Sequence, residues 1–319
     1  MTCRRFAFID IGTNTILCLI AELKDDGSFL VLDDLAEIAR LGEGVQQSGF
    51  IGPKAEDRSL KVLRRYVERC QGLDVEEIIA VGTSALREAQ NSAQVRARFK
   101  EELGVDVRVL SGDQEARYSF LAVERGLPVN RRELLVVDVG GGSTELIRGD
   151  GAGISRAVSL KIGSVRLTEQ FLHSDPVRGE EYEKLTAAVD AELATLPHQW
   201  LRDLSVLTLV GIAGTFTTLA AVEKKLVRYS HGEVHGSRLT LNEVRRQAAL
   251  FLGQTIAERR RIPGLEPMRA DVILAGARLI ERLMSLFRAA EVIVSDQGVR
   301  FGLLYEWLDH RPLDSANNC

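Results

Sequence analysis

The chain has 319 residues, 45% of them hydrophobic and 27% charged, with a formal net charge of −4. That balance belongs to a globular protein long enough for two domains and argues against a DNA-coating protein. Its four cysteines, Cys3, Cys18, Cys70 and Cys319, have neither a Cys-x-x-Cys pair nor zinc-ligand spacing, so free thiols in a reducing, cytoplasmic compartment are expected.

Three strands open the chain, Phe6–Ile11, Thr15–Leu23 and Phe29–Ile38, the last two joined at an Asp25-Asp-Gly turn. The apolar run 17–23 is too short to span a bilayer, so no membrane partner is expected. Residues 42–52 read as a glycine-rich loop. Pro53 opens a helix with Leu60, Leu63 and Val67 on one face. A buried strand, 78–81, ends at Gly82; a helix (91–103), a strand (105–110) and a helix (113–125) follow. Residues 126–130 read as a hinge. The second half restarts with strands at 134–139, 144–148 and 155–160. Further strands are expected at 206–210 and 291–295. Helices are expected at 164–172, 179–196, 216–225, 241–256, 270–288 and 299–308, and the tail after Pro312 reads as frayed.

The two halves share a layout. Asp10-Ile-Gly-Thr-Asn-Thr15 follows the first apolar strand, and Asp138-Val-Gly-Gly-Gly-Ser-Thr144 follows its counterpart. Gly82-Thr-Ser-Ala-Leu-Arg87 begins 72 positions after Asp10, and Gly211-Ile-Ala-Gly-Thr215 begins 73 after Asp138. Glycines let backbone N–H groups converge on a phosphate, and Ser and Thr hydroxyls add donors. Asp10 and Asp138 would repel phosphate unless a cation lay between. Magnesium suits a site of one or two carboxylates, waters and phosphate oxygens, with manganese as its substitute. A phosphate-holding cleft between two duplicated halves is therefore expected, with Arg87 offering a guanidinium fork. One Asp-x-Gly turn alone is more often a tight strand connection; the matched pair changes that reading.

These segments, with Ser111-Gly-Asp-Gln-Glu-Ala-Arg117 and Ser295-Asp-Gln-Gly-Val-Arg-Phe-Gly302, occur in the order of the exopolyphosphatase / guanosine pentaphosphate phosphatase family, which the chain resembles over about residues 6–305. The resemblance implies an α/β fold of two ribonuclease H-like domains, of the kind in actin, sugar kinases and heat-shock chaperone ATPases, flanking a cleft. The domains would span 1–125 and 126–319, with the helix near 299–309 packing back on the first, as in the short two-domain form. It implies that Glu115 is the catalytic base and that Asp138, Asp10 and Glu145 surround the metal. Phosphate contacts would come from Gly12, Thr13, Asn14, Thr15, Thr83, Ser84, Arg87, Gly140, Gly141, Gly142, Ser143, Gly214 and Thr215. On residue type alone Glu115 is an ordinary first-turn helix glutamate.

The implied reaction is magnesium-dependent release of orthophosphate from the end of inorganic polyphosphate. Within the family the alternative is removal of the 5′ γ-phosphate of guanosine pentaphosphate, and guanosine tetraphosphate is a further ligand. A sugar-kinase-like phosphotransferase and a non-catalytic alarmone binder are the readings from other classes. A homodimer is compatible with the resemblance; DNA is not an expected partner. His231-Gly-Glu-Val-His235 lacks the spacing of a zinc helix and is not taken as a metal site. The basic pairs at 64–65, 131–132 and 245–246 and the triplet 259–261 read mostly as solvated helix faces. One or two of them would line the cleft mouth and draw in a polyanion, with Lys161 and Arg166 as weaker contributors.

Overall fold

The structure, a computed structural model, describes residues 4–24, 26–129, 133–204 and 207–310. Cys3, Asp25, Asn130 at the end of the expected hinge, Arg131, Arg132, Val206, and the tail with Cys319 lie outside the described residues. The first half contains β1 (Arg4–Ile11), β2 (Thr15–Leu23), β3 (Phe29–Ile38), α1 (Val45–Ser48), α2 (Pro53–Gly72), β4 (Glu77–Gly82), α3 (Ser84–Glu88), α4 (Ser92–Leu103), β5 (Val107–Val109) and α5 (Gly112–Gly126). The second contains β6 (Leu134–Val139), β7 (Thr144–Asp150), β8 (Gly153–Leu160), α6 (Ser164–Phe171), α7 (Gly179–Leu193), β9 (Thr208–Ile212), α8 (Ala213–Glu223), α9 (His231–Val234), β10 (Arg238–Thr240), α10 (Leu241–Leu252), α11 (Ile256–Arg259), α12 (Ile273–Leu286), β11 (Glu291–Val294) and α13 (Val299–His310).

The strands form two mixed sheets, ordered β3-β2-β1-β4-β5 and β8-β7-β6-β9-β11-β10. In each, three consecutive strands pair antiparallel and the chain then crosses over to add a parallel strand, β4 beside β1 and β9 beside β6. The duplication extends to single hydrogen bonds. Gly12 N–H donates to the Thr15 carbonyl at 3.1 Å, and Gly140 N–H donates to the Ser143 carbonyl at 3.0 Å. A Cβ on either glycine would crowd the same carbonyl, at 2.9 and 3.1 Å. This is the α/β duplication expected from the repeated turns.

α5 is wedged between the sheets. Its Tyr118 and Ala122 bury against Phe6, Phe8 and α13, whereas Ala116, Phe120 and Val123 bury against Leu134, Val136, Ile147 and Ile212 of the second sheet. Two apolar stripes at helical spacing thus hold one helix from both sides, each large side chain contributing roughly 1.5–3 kcal/mol. α13 crosses back to pack on α5 and β1. The crossing is close: a Cβ on Gly302 would stand 2.1 Å from the Tyr118 carbonyl oxygen.

Several elements depart from the sequence reading. The 42–52 loop contains the single turn α1, bracketed by Gly44 and Gly49 at φ 71° and 75°. The expected helix 241–256 ends at Leu252, and a new Ser/Thr-type cap at Thr255 starts α11. α7 stops at Leu193 and α8 starts three residues early, at Ala213. β10 was not expected; three residues carry too short a period to be read.

Candidate active site

The repeated turns meet. Thr13 of the first half stands against Gly141 and Gly142 of the second, where a Cβ on Gly141 would lie 3.2 Å from Thr13 Cβ. A Cβ on Gly142 would be 2.8 Å from Ser84 Oγ. Around this junction lies a cleft of about 640 Å³. Of the residues named from sequence, Asp10, Gly12, Thr13, Asn14, Thr15, Thr83, Glu115, Asp138, Gly140, Gly141, Gly142, Ser143, Gly214 and Thr215 line it. Ser84, Arg87 and Glu145 do not.

Each acid is delivered by a strand end or a capped helix. Asp10 and Asp138 sit near the ends of the parallel-paired central strands β1 and β6, beside the glycine turns. Glu115 lies in the first turn of α5, whose start is fixed by a capping box between Ser111 and Gln114. Burial pushes the Asp10 carboxyl up to about 8, with the nearby charges of Glu115 and Asp138 adding and Arg300 opposing. Burial pushes Asp138 up to about 7; Glu115 adds, and the Ser119 hydroxyl, donating to Oδ2 at 3.2 Å, opposes. Glu145, in register with Asp138 across the β6–β7 pair, is held well above the usual carboxylate range, again chiefly by burial.

A buried group of like charges is unfavourable unless a cation neutralises it. Unpartnered polar atoms stand among these acids. Asp10 Oδ1 is buried without a hydrogen-bond partner, and so are both amide atoms of Asn14. Hard oxygen donors beside glycine-rich turns suit a divalent cation that keeps waters and phosphate oxygens in its shell. Glu145 does not itself line the cleft; it accepts a hydrogen bond from Ser159 at 2.8 Å and lies near enough to Asp138 and Glu115 for their charges to raise it further.

Arg87 is committed elsewhere than the sequence reading placed it. Its Nη1 donates to Glu115 Oε2 at 2.8 Å and to the Leu110 carbonyl at 3.1 Å. The guanidinium opposes the upward push of burial on Glu115. Ser84 likewise donates to Glu88 at 3.0 Å instead of facing the cleft. Arg166 joins the two halves, donating to the Gly142 carbonyl at 2.7 Å and to Glu88 at 2.6 Å.

Sequence reasoning missed Arg269, which ends a single 3-10 turn (Pro267–Arg269) with no periodic signal. Its guanidinium lies over Gly214, where a Cβ would approach to 2.2 Å, and donates to Thr15 Oγ1 at 3.0 Å. Also missed was the far end of the cleft. Asp34, His231 and Asp296 are the one trio of His, Cys, Asp or Glu side chains, among the described residues, whose ligand atoms all lie within 4.8 Å of one another. Arg300 forks Asp34 at 2.7 and 2.8 Å, and His231 meets Asp296, which raises the imidazole pKa. The charges are matched within the group, which makes it an ion-pair knot between the halves. His235 is used separately, its Nδ1 accepting from the Asp296 N–H at 3.2 Å.

The sequence matches the profile of the Ppx/GppA phosphatase family over residues 19–311. It is 33% identical over 315 residues to the bifunctional 3-dehydroquinate synthase/phosphatase of Fusobacterium nucleatum, covering 96% of this chain but 47% of that protein. It is 34% identical over 298 residues to exopolyphosphatase 2 of Mycobacterium tuberculosis, covering 89% of this chain and 91% of the relative. Its fold superposes on the crystal structure of the Ppx/GppA family member of Aquifex aeolicus with a TM-score of 0.79, at 35% identity, over 98% of this chain and 100% of the other.

Proposed function

Because the chain belongs to the Ppx/GppA phosphatase family, we propose that its cleft removes the terminal phosphate of inorganic polyphosphate, as an exopolyphosphatase. One observation carries this reading: two mirrored glycine turns and the carboxylates Asp10, Asp138 and Glu115 converge on a single cleft.

In this reading the terminal phosphate lies between the turns at Gly12–Thr15 and Gly140–Ser143, held by their N–H groups and hydroxyls. The free amide of Asn14 and the guanidinium of Arg269, which has no carboxylate partner among the described residues, supply donors and positive charge. Asp10 and Asp138 would hold the cation, magnesium or in its place manganese, which when bound neutralises charge on the anhydride oxygens. Arg87 opposes the upward push of burial on Glu115 and aims its carboxylate. Glu115 takes the proton from the attacking water as its oxygen bonds to the terminal phosphorus and the shortened chain leaves. A positioned base of this kind contributes on the order of 10²–10⁴-fold.

We read 1–125 and 126–319 as two lobes that close over the substrate. Ties already span the cleft: Arg40 forks Asp271 at 2.8 and 2.9 Å, Arg269 reaches Thr15, and Glu169 accepts from the Gly44 N–H at 3.2 Å. A cytoplasmic setting is in keeping with Cys18 and Cys70, which are buried free thiols. No helix among the described residues is long and apolar enough to cross a membrane.

Phosphate release from tripolyphosphate, long polyphosphate and guanosine pentaphosphate, each with and without magnesium, tests the reading. Magnesium-dependent release from polyphosphate is expected. Release confined to guanosine pentaphosphate would transfer the activity to the alarmone, and release from none would end the hydrolase reading.

A further inference from the structure

Most arginines outside the cleft are neutralised by carboxylates. Arg64 pairs with Glu102, Arg65 with Glu37, Arg245 with Glu281 and Arg246 with Glu223, so those sequence clusters carry little free charge. One stretch differs. α8 is followed by Lys224-Lys-Leu-Val-Arg228, and none of the three cations of this stretch has an ion-pair partner among the described residues; all three side chains are exposed. Val227 beside them is 94% exposed. Arg260 and Arg261, also exposed, lie in the turn after α11, where Arg261 acts on Glu258. That turn packs on the same end of α8: a Cβ on Gly264 would come within 2.2 Å of the Ala221 carbonyl, which also accepts from the Leu226 N–H at 3.0 Å.

This basic patch is continuous with the cleft. Tyr229, the residue after Arg228, and Gly264 both line it, as do Met268 and Arg269 on the same rim. Tyr229 and Met268 are about half exposed, 48% and 47%, so the rim opens to solvent here. The rim borders the Asp34–Arg300–His231–Asp296 knot, since the Tyr229 hydroxyl donates to Asp296 at 2.8 Å, and elsewhere the Arg166–Glu88 pair ties the two halves together. Glu266 and Asp296 are the acids beside this rim, and Lys224, Lys225 and Arg228 lie just outside it, on the stretch that leads into Tyr229.

We propose that Lys224, Lys225 and Arg228, flanked by Arg260 and Arg261, form an outer track that carries the distal part of a long polyphosphate chain beyond the cleft and so sets preference for chain length. The proposal rests on the polyphosphatase reading and deepens it. A chain of three phosphates is accommodated inside; a longer one has to leave through the open rim, where repeating phosphates meet unpaired cations. A local field of this kind acts despite the net negative charge of the protein.

The test is the triple variant Lys224→Ala, Lys225→Ala, Arg228→Ala, assayed on long polyphosphate and on tripolyphosphate at several salt concentrations. KM for long chains should rise on the order of tenfold, as expected for the loss of three exposed charge contacts. The slope of log KM against log salt for long chains should flatten by roughly two, about 0.7 per charge removed. Tripolyphosphate kinetics should stay at wild-type values, and Lys224→Arg, Lys225→Arg, Arg228→Lys should behave as wild type. Lys54→Ala, Lys61→Ala, which removes exposed unpaired cations from α2, should change neither substrate. Equal effects on both chain lengths, or none on either, would overturn the track. Absence of phosphate release from any polyphosphate by the wild-type protein would instead overturn the parent reading, and the track with it.

Discussion

Replacing Arg87 by Gln separates two roles for that residue. The guanidinium is 2.8 Å from Glu115 Oε2, and the Arg87 side chain is 25% exposed. With charge centres about 4 Å apart and an effective dielectric near 20, the attraction is at most about 4 kcal/mol. Partial exposure of the arginine screens part of this. Burial already raises Glu115 and Arg87 opposes it, so the variant base should hold its proton to higher pH. The acid limb of log kcat/KM for phosphate release from polyphosphate should move to higher pH. Activity near neutrality should fall about 10–100-fold and recover on the alkaline side, with KM little changed. A uniform loss at all pH values with an unmoved limb, or a loss confined to KM, would refute this and return Arg87 to the phosphate.

Three further outcomes follow from the same geometry. Asp10 and Asp138 are raised in the folded protein, to about 8 and 7. The folded state therefore binds more protons than the unfolded one between about pH 4 and 8, and metal-free stability should fall as pH rises through that window. Magnesium should raise the melting temperature more at about pH 9 than at about pH 6; an equal shift at both would remove these acids from the metal site. Asp138→Asn should raise the melting temperature without metal, because it removes a buried charge, while weakening the magnesium-induced shift and raising the magnesium needed for turnover. An unchanged metal titration would refute the assignment. Gly302→Ala should destabilise by about 1–3 kcal/mol in urea unfolding, since the clash is with the Tyr118 backbone 2.1 Å away. A neutral result would mean α13 can shift off α5.

The fold was legible because its signals are repeated. Apolar strands ending in Asp10 and Asp138, followed by glycine turns of the same spacing, set out both sheets in the sequence itself. Helix bounds were less legible where caps compete, as at Thr255, and β10 is too short to carry a period. In the site, the residues of the two turns were readable because backbone N–H groups and strand ends leave a pattern. Arg269 was not, since it reaches Thr15 across 254 positions of sequence and a lone arginine in a turn has no period. The committed roles of Arg87 and Ser84 were equally unreadable: a side chain near a glycine turn can face the ligand or brace its neighbour, and only the position of α5 decides. Asp34 and Arg300 form the same kind of long-range pair, with a carboxylate in β3 answered by the first turn of α13.

The most direct test of the account is Glu115→Gln on polyphosphate with saturating magnesium, following both binding of the polymer and release of phosphate. Gln keeps the shape of the side chain but cannot accept the proton. Binding should match wild type while turnover falls by two or more decades, on the order of the contribution of a positioned base. Turnover near the wild-type rate would contradict the assignment of Glu115, and with it the claim that the mirrored turns and this helix act together on one phosphate.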